Sequence, residues 1–380
     1  MKLKSLSYKE LEGTDREWSV DNLSFQDINL IVGKNATGKS RCINVINAMT
    51  ETLLGKRTLS DGFFKLQFLD SDVLVDYDVQ ISQNVILTES LIRSDTTKPL
   101  LTRDRSGYGE IFYEKAGKYL EFQLADNQLT SVLKQDSIQH PFLLPLREWA
   151  DGAFYYPFGS DMGKNNLGVM LDGVDIPLDL HNPMLVVGVL RRGIKNYGDS
   201  FKNNIINDMK CIGYELDDIY LGKPHSVISA MISANIHVDP DSICVKETGL
   251  PASVDQILMS QGMFRALATI IQLTYGYMST NASFVMIDDI GEGLDFDRST
   301  ALIKLIIERA RSSGIQIIMA TNDRFVMNNV PLEYWSVLHR EGNHVEVFNN
   351  SNSKERFEEF KFTGLNNFDA FSSDFLVGEH

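Results

Sequence analysis

Residues 28–40 read Ile28-Asn29-Leu30-Ile31-Val32-Gly33-Lys34-Asn35-Ala36-Thr37-Gly38-Lys39-Ser40, a mostly apolar run followed at once by a glycine-bounded loop ending in Lys-Ser. Gly33 to Ser40 fits the pattern G-x-x-x-x-G-K-[ST] in full. Beyond the loop, Cys42, Ile43, Ile46, Met49 and Leu53 recur at helical spacing until Gly55, a helix stop. The stretch predicts strand, glycine loop, helix, which is the context the pattern requires.

The spacing has a chemical reason. Glycines let the backbone curl so that successive N–H groups point inward at the positive end of the following helix, a cradle for phosphate oxygens. Lys39 adds a mobile charge for the β- and γ-phosphates, and the Ser40 hydroxyl is a hard ligand for Mg²⁺. Asn35, Ala36 and Thr37 contribute mainly backbone, and Lys34 and Arg41 flank the loop with positive charge. ATP with Mg²⁺ is the expected ligand.

Such a loop works with an acidic residue at the end of a buried strand, and Phe284-Val285-Met286-Ile287-Asp288 supplies one. Asp288 is placed to reach the magnesium shell. Asp289 follows, where a second carboxylate could orient and deprotonate the attacking water. The competing reading is that both aspartates only cap a strand end.

The run Asp288-Asp289-Ile290-Gly291-Glu292-Gly293-Leu294-Asp295 resembles the Walker B and D-loop segment of ABC-type ATPases, with Asp295 at the D-loop aspartate. Upstream, Met259-Ser260-Gln261-Gly262-Met263 resembles a degenerate ABC signature, with Ser260 and Gly262 at its serine and glycine. Downstream, Thr321-Asn322-Asp323 occupies the place of the family's switch histidine. The resemblance covers about residues 1–55 and 250–345 and implies that two chains sandwich two ATP molecules head to tail. Arg265 and Arg298 are candidates to line that interface, with exposed salt-bridge partners as the alternative. Tyr8 or Trp18 could stack on adenine, with burial in the core as the alternative. Two departures matter: Asp289 stands where the family has a longer glutamate, which points to slow hydrolysis, and Asn322 cannot take a proton as histidine can.

Working outward, residues from about Lys65 to Leu124 alternate in polarity, as in Val73 to Val79 and Glu110 to Tyr113, with turn residues Asp104, Ser106, Gly107 and Gly117 between. They predict a mostly antiparallel β section. Helical stretches are expected near Phe201 to Met209 and His225 to Ala234. Ser253 to Met278 reads as helix, Ser283 to Ile287 as a buried strand, Arg298 to Ser312 as an amphipathic helix stopped at Gly314, and Ile315 to Ala320 as a second buried strand. No heptad repeat survives three turns, which argues against a long coiled-coil arm. The fold class is α/β: an ABC-type P-loop NTPase core with an antiparallel β section and an inserted mixed, partly helical lobe. The expected division is 1–150 for the N-terminal half of the core with the β section, 151–250 for the inserted lobe, 251–350 for the C-terminal half of the core, and 351–380 for a loosely held acidic tail.

Bulk properties narrow the function further. The formal charge is −15 over 380 residues, which weighs against a surface that tracks a nucleic-acid backbone. The densest basic cluster outside the loop, Arg191, Arg192 and Lys195, reads as a solvated helix face. Three cysteines without a CxxC pair fit a reducing cytoplasm and small core positions. No run approaches the ~20 apolar residues of a membrane span. The insert is larger than a transporter ATPase carries and resembles the branch of chromosome-maintenance heads, recombination ATPases and stand-alone ATPases of bacterial anti-phage systems. The leading expectation is a homodimer, or higher oligomer, whose ATP-driven association gates a separate effector such as a nuclease. Alternatives are a DNA-binding recombination or repair ATPase, a transporter subunit, and a nucleotide-clamped scaffold that hardly turns over.

Overall fold

The structure is a computed structural model and describes residues 1–169, 177–224 and 240–378. The helix expected near His225 to Ala234 lies outside the described residues. Within them the chain runs β1 (Lys2–Glu10), β2 (Trp18–Ser24), β3 (Ile28–Gly33), α1 (Lys39–Leu53), β4 (Gly62–Asp70), β5 (Val73–Ser82), β6 (Val85–Arg93), β7 (Leu101–Arg103), β8 (Tyr108–Tyr113) and β9 (Lys118–Gln123). There follow α2 (Thr130–Leu133), α3 (Leu144–Asp151), β10 (Ala153–Pro157), β11 (Gly168–Val169), α4 (Val186–Tyr197), α5 (Asp199–Cys211), β12 (Leu216–Gly222), β13 (Pro240–Glu247) and β14 (Val254–Asp255). The last third holds α6 (Gln261–Ser279), β15 (Phe284–Asp288), α7 (Phe296–Ser313), β16 (Gln316–Ala320), α8 (Arg324–Asn329), β17 (Trp335–Glu341), β18 (His344–Asn349), α9 (Lys354–Lys361) and α10 (Asn367–Ser372). These elements fold as two compact units, Met1–Ala153 with Gln316–Asn322 and Pro331–His380, and Phe154–Ile315 with Asp323–Val330.

In the first unit the strand order is β16-β3-β17-β18-β2-β1-β4-β5-β6-β7-β8-β9. β3 is buried at every residue and runs parallel to both β16 and β17, so it is a central strand, consistent with its unbroken apolar character. From β1 onward every pairing is antiparallel, and β4 to β9 form the expected β section as successive hairpins. The alternation of β5 matches its burial: Val75, Tyr77, Val79 and Ile81 are inside, and the residues between them are part-exposed. Helix α1 lies against α3, and Phe68 meets Trp149 edge-on at 4.8 Å between ring centroids. Glu89 is fully enclosed and accepts from Tyr77 Oη at 3.1 Å and from the backbone N–H of Thr130 and Ser131 at 2.7 and 2.9 Å.

The acidic tail is not loosely held. Phe357 and Phe360 of α9 are 1% and 2% exposed, Leu376 and Val377 are buried, and Asp374 forms an ion pair with Lys34 at 2.6 Å. A few aromatic residues anchor a segment whose composition is otherwise polar, because each buries far more apolar surface than its neighbours expose.

In the second unit β10 lies beside β15, and a smaller antiparallel sheet has β13 between β11 and β12 with β14 also on β13. Val254 and Asp255 therefore belong to a strand, and the helix expected from Ser253 begins only at Gln261. Asp255 explains the break: its buried carboxylate accepts from the N–H of Ile257 at 3.0 Å, a turn that competes with helix. Helix α6 is buried from Gly262 through Gly276 and packs on α4 and α5, with Tyr197, Phe201 and Tyr275 meeting at 6.1 to 6.4 Å between centroids. Helix α7 ends at Gly314 in the left-handed region, as expected, but begins at Phe296, two residues before Arg298, with Asp295 as its cap. The basic cluster sits on α4, where Arg191 is engaged with Asp241 at 2.5 Å. Cys42 and Cys244 are buried, with burial pushing their thiols up to about 12 and about 11, while Cys211 is exposed at the end of α5 rather than in the core. Among the described residues no helix is long and apolar enough to cross a membrane.

Candidate functional site

In the first unit the loop between β3 and α1 takes the conformation its glycines permit. Gly38 has φ +109° and Ala36 φ +64°, so the chain turns twice through the left-handed region before α1 starts. Gly33 is needed for a different reason: a Cβ there would lie 2.4 Å from Thr37 Oγ1. Thr37 closes the turn by donating from N and Oγ1 to the Lys34 carbonyl at 3.3 and 2.9 Å. Lys39 is 6% exposed and donates from Nζ to the carbonyls of Gly33 and Lys34 at 2.8 and 3.3 Å, so its charge is held over the loop. Ser40 follows in the first turn of α1, half-exposed. Lys34, Asn35 and Ala36 are exposed. Arg340 braces the loop by donating to the Ala36 carbonyl at 3.2 Å.

Arg41 lies over the Trp18 ring at 4.8 Å and pairs with Glu10 at 3.2 Å. Of the two alternatives for Tyr8 and Trp18, stacking on adenine or burial in the core, burial is the one observed. Trp18 is 1% exposed, with one edge against Gly38 and Arg41 over its face, and Tyr8 is 2% exposed with its hydroxyl donated to Glu10 at 2.6 Å. Trp18 packs against the loop at Gly38, and Tyr8 lies behind it, 6.0 Å from Trp18 and 4.8 Å from Phe64 between ring centroids. Asn322, after β16, is exposed, and the preceding Thr321 donates its N–H to the Ile31 carbonyl at 3.3 Å.

In the second unit Asp288 ends β15, buried at 7% exposure. Asp289 has φ +53°, a left-handed backbone uncommon for any residue with a side chain. Gly291 and Gly293 share that sign at +91° and +83°, so residues 289–293 form a tight, irregular turn. Tyr155 of β10 has its hydroxyl pushed up to about 12, first by burial and then by the charges of Asp288 and Asp289. The segment after β10 comes close: the Gly159 N–H donates to the Asp288 carbonyl at 3.3 Å, and a Cβ on Gly159 would stand 2.8 Å from Glu292 Oε2 and 2.9 Å from Asp289 Cβ.

Ser260 is exposed and caps α6, accepting from the Met263 N–H at 3.2 Å. Gly262 is required by packing, since a Cβ there would meet the Gly293 carbonyl at 2.4 Å. Asp295 caps α7, accepting from the Arg298 N–H at 3.0 Å, which with Arg298 holds its carboxyl below the usual range. Arg298 is engaged within its own chain, paired with Asp295 and lying over Tyr214 at 4.4 Å. Arg265 does not line an exposed interface; it is 9% exposed and bonded to backbone carbonyls. Sequence reasoning missed Gly159, Ser160 and Tyr155 altogether. The usable signal was Arg265 itself, a lone charge in an otherwise apolar helical run, which demands buried acceptors.

No protein-family profile matches the chain, and no curated protein matches its sequence. Solved structures do. An SMC head bound to the C-winged helix domain of ScpA aligns over 91% of this chain and 97% of its own, at 15% identity and TM-score 0.50. An SMC head domain with an extended coiled coil, bound to the C-terminal domain of ScpA, derived from Pyrococcus furiosus, aligns over 95% and 99% at 14% identity and TM-score 0.46. CbiO1 from Clostridium perfringens, part of the ABC transporter complex cbiONQ, aligns over 95% and 91% at 16% identity and TM-score 0.40. The chain is similar in its mixed α/β fold to the SMC head. At these identities the likeness is one of fold.

Proposed function

We propose that this chain binds ATP with Mg²⁺ and hydrolyses it as a head-to-tail homodimer or higher oligomer. The observation that carries the reading is the loop from Gly33 to Ser40: two left-handed turns, a Gly33 that admits no Cβ, and a buried Lys39 held over its carbonyls. Lys39 and the loop N–H groups would hold phosphate oxygens, and Ser40 and Asp288 are hard oxygen donors suited to Mg²⁺. Among the described residues no three His, Cys, Asp or Glu side chains are grouped to hold a metal. Magnesium would therefore take the rest of its shell from phosphate and water, as that ion prefers. Asp289 would orient the attacking water, and Asn322 would contact the γ-phosphate by hydrogen bonding.

Self-association is supported by the surface around the signature. Ser260 is exposed at a helix start, Leu258 beside it is 61% exposed and Phe296 at the start of α7 is 52% exposed. Large apolar side chains left in water next to a nucleotide-directed serine suit a face that a second copy covers. Ser260, Gly262 and Asp295 would then act across the dimer. In the same reading, ATP-driven closure gates a separate effector, such as a nuclease, in anti-phage defence.

The test is ATP turnover with Mg²⁺ as a function of protein concentration, for wild type, Lys39→Ala and Asp289→Asn. Turnover per chain should rise with concentration, and both substitutions should abolish it. Turnover that is flat with concentration, or that survives Asp289→Asn, rejects the composite-dimer reading. Binding without turnover would favour the clamped scaffold, for which the short, left-handed Asp289 already speaks.

A further inference from the structure

Arg265 is a buried cation on an apolar helix, and each of its three nitrogens donates to a backbone carbonyl. Nε donates to the Ser160 carbonyl at 2.7 Å, Nη2 to the Gly159 carbonyl at 2.6 Å and Nη1 to the Glu292 carbonyl at 2.9 Å. The Glu292 carboxylate adds an ion pair, Oε1 standing 3.6 Å from Nη1. One side chain thus ties together three segments: the start of α6 at Ser260, the loop after β10, and the turn after β15 that carries Asp289.

The turn needs such a brace. Asp289, Gly291 and Gly293 all have positive φ, at +53°, +91° and +83°, and two of the three are glycines, which leave the turn with more backbone freedom than any other residue would. Aspartate tolerates the left-handed region better than most residues with a side chain, but one conformation is held there only where neighbouring contacts select it. The contacts that do so converge on Arg265: Gly159, held by Nη2, lies against Asp289, and Gly293 lies under Gly262 on the same helix. A planar fork holds three carbonyls at fixed angles, and a lysine cannot reproduce it.

We propose that Arg265 is a positioning residue for hydrolysis. It acts through other residues: it sets where Asp289 stands and couples that position to Ser260, so that a phosphate engaging the start of α6 is felt at the hydrolytic carboxylate. The inference rests on the ATPase reading given above.

The experiment compares full-length wild type, Arg265→Lys and Arg265→Ala. In Arg265→Lys the equilibrium affinity for ATP and the KM should stay within about threefold, because the P-loop is untouched, while kcat falls roughly tenfold to a hundredfold. Asp289→Asn added to Arg265→Lys should lose less than it does in wild type, since the carboxylate is already misplaced. Amide exchange should quicken at residues 289–294 in Arg265→Lys and stay unchanged across 39–53. Wild-type kcat in Arg265→Lys overturns the proposal, as does a parallel loss of binding, kcat and melting temperature with exchange raised throughout, which would make Arg265 merely structural. If Arg265→Ala fails to fold, Arg265→Lys alone decides. Exchange needs no turnover, so a wild type that does not hydrolyse ATP defeats the ATPase reading while the brace is still judged by the protection of residues 289–294.

Discussion

Replacing Gly38 by alanine strains the loop between β3 and α1 in two separable ways. Gly38 has φ +109° and ψ +16°, and an added Cβ would stand 2.4 Å from Trp18 Cζ2. Trp18 cannot retreat: it is 1% exposed and Arg41 lies over it. Left-handed backbone costs about 1–2 kcal/mol for a residue with a Cβ, and overpacking a filled core costs about 1–3 kcal/mol. Together these make about 2–5 kcal/mol, a large share of the ~5–15 kcal/mol by which domains are stable. Urea unfolding of the full chain measures the loss, and equilibrium ATP binding should weaken with it as the N–H groups of the loop turn away. Trp18→Leu separates the parts. The double variant should recover the overpacking part, about 1–3 kcal/mol relative to additivity, while the backbone part stays. A Gly38→Ala protein within about 0.5 kcal/mol of wild type, or strict additivity with Trp18→Leu, would refute the reasoning.

Three further outcomes are expected. Asp295→Ala removes the cap of α7 and should cost about 1 kcal/mol in urea unfolding. Because the folded Asp295 carboxyl titrates below its ordinary range, its contribution is fully present above the unfolded value and is lost as pH falls through the folded one; Asp295→Asn should keep the cap and remove that pH dependence. In the tail, Phe357→Ala should cost about 3–5 kcal/mol, whereas Asp374→Asn should change stability by less than about 1 kcal/mol, because the Lys34–Asp374 pair is 58% and 43% exposed. Equal effects would mean that the ion pair rather than the aromatic anchors holds the tail. Glu89→Gln turns an acceptor of two backbone N–H groups into an amide that can satisfy fewer of them, and should cost about 1–3 kcal/mol by the same unfolding assay.

The legible parts of this protein were those whose physics is local. A glycine loop between strand and helix is a matter of backbone, so Gly33 and Gly38 mark it by their spacing; Gly38 supplies the left-handed turn the pattern implies, whereas Gly33 is needed for its close approach to Thr37. The β section was readable because period-2 alternation marks half-buried hairpins, and the body and end of α7 because its apolar spacing runs on to Gly314. The start of α6 was blurred because the residues before it are compatible with helix, and only pairing of Val254 and Asp255 with β13 makes them strand.

What the sequence by itself determined was chemistry carried on contiguous residues: strand, glycine loop and helix from Ile28 to Leu53, and the carboxylates at the end of an apolar strand. The tertiary structure alone decided which groups are spent on holding them. Trp18 became a support of the loop, Arg265 became a brace, and Gly159 came to rest against Asp289. The physical reason is that burial and partner choice depend on residues far apart in the chain, as with Arg265 and the carbonyls of Gly159 and Ser160 about a hundred positions away. A side chain's type states what it can bond, and the fold states what it meets.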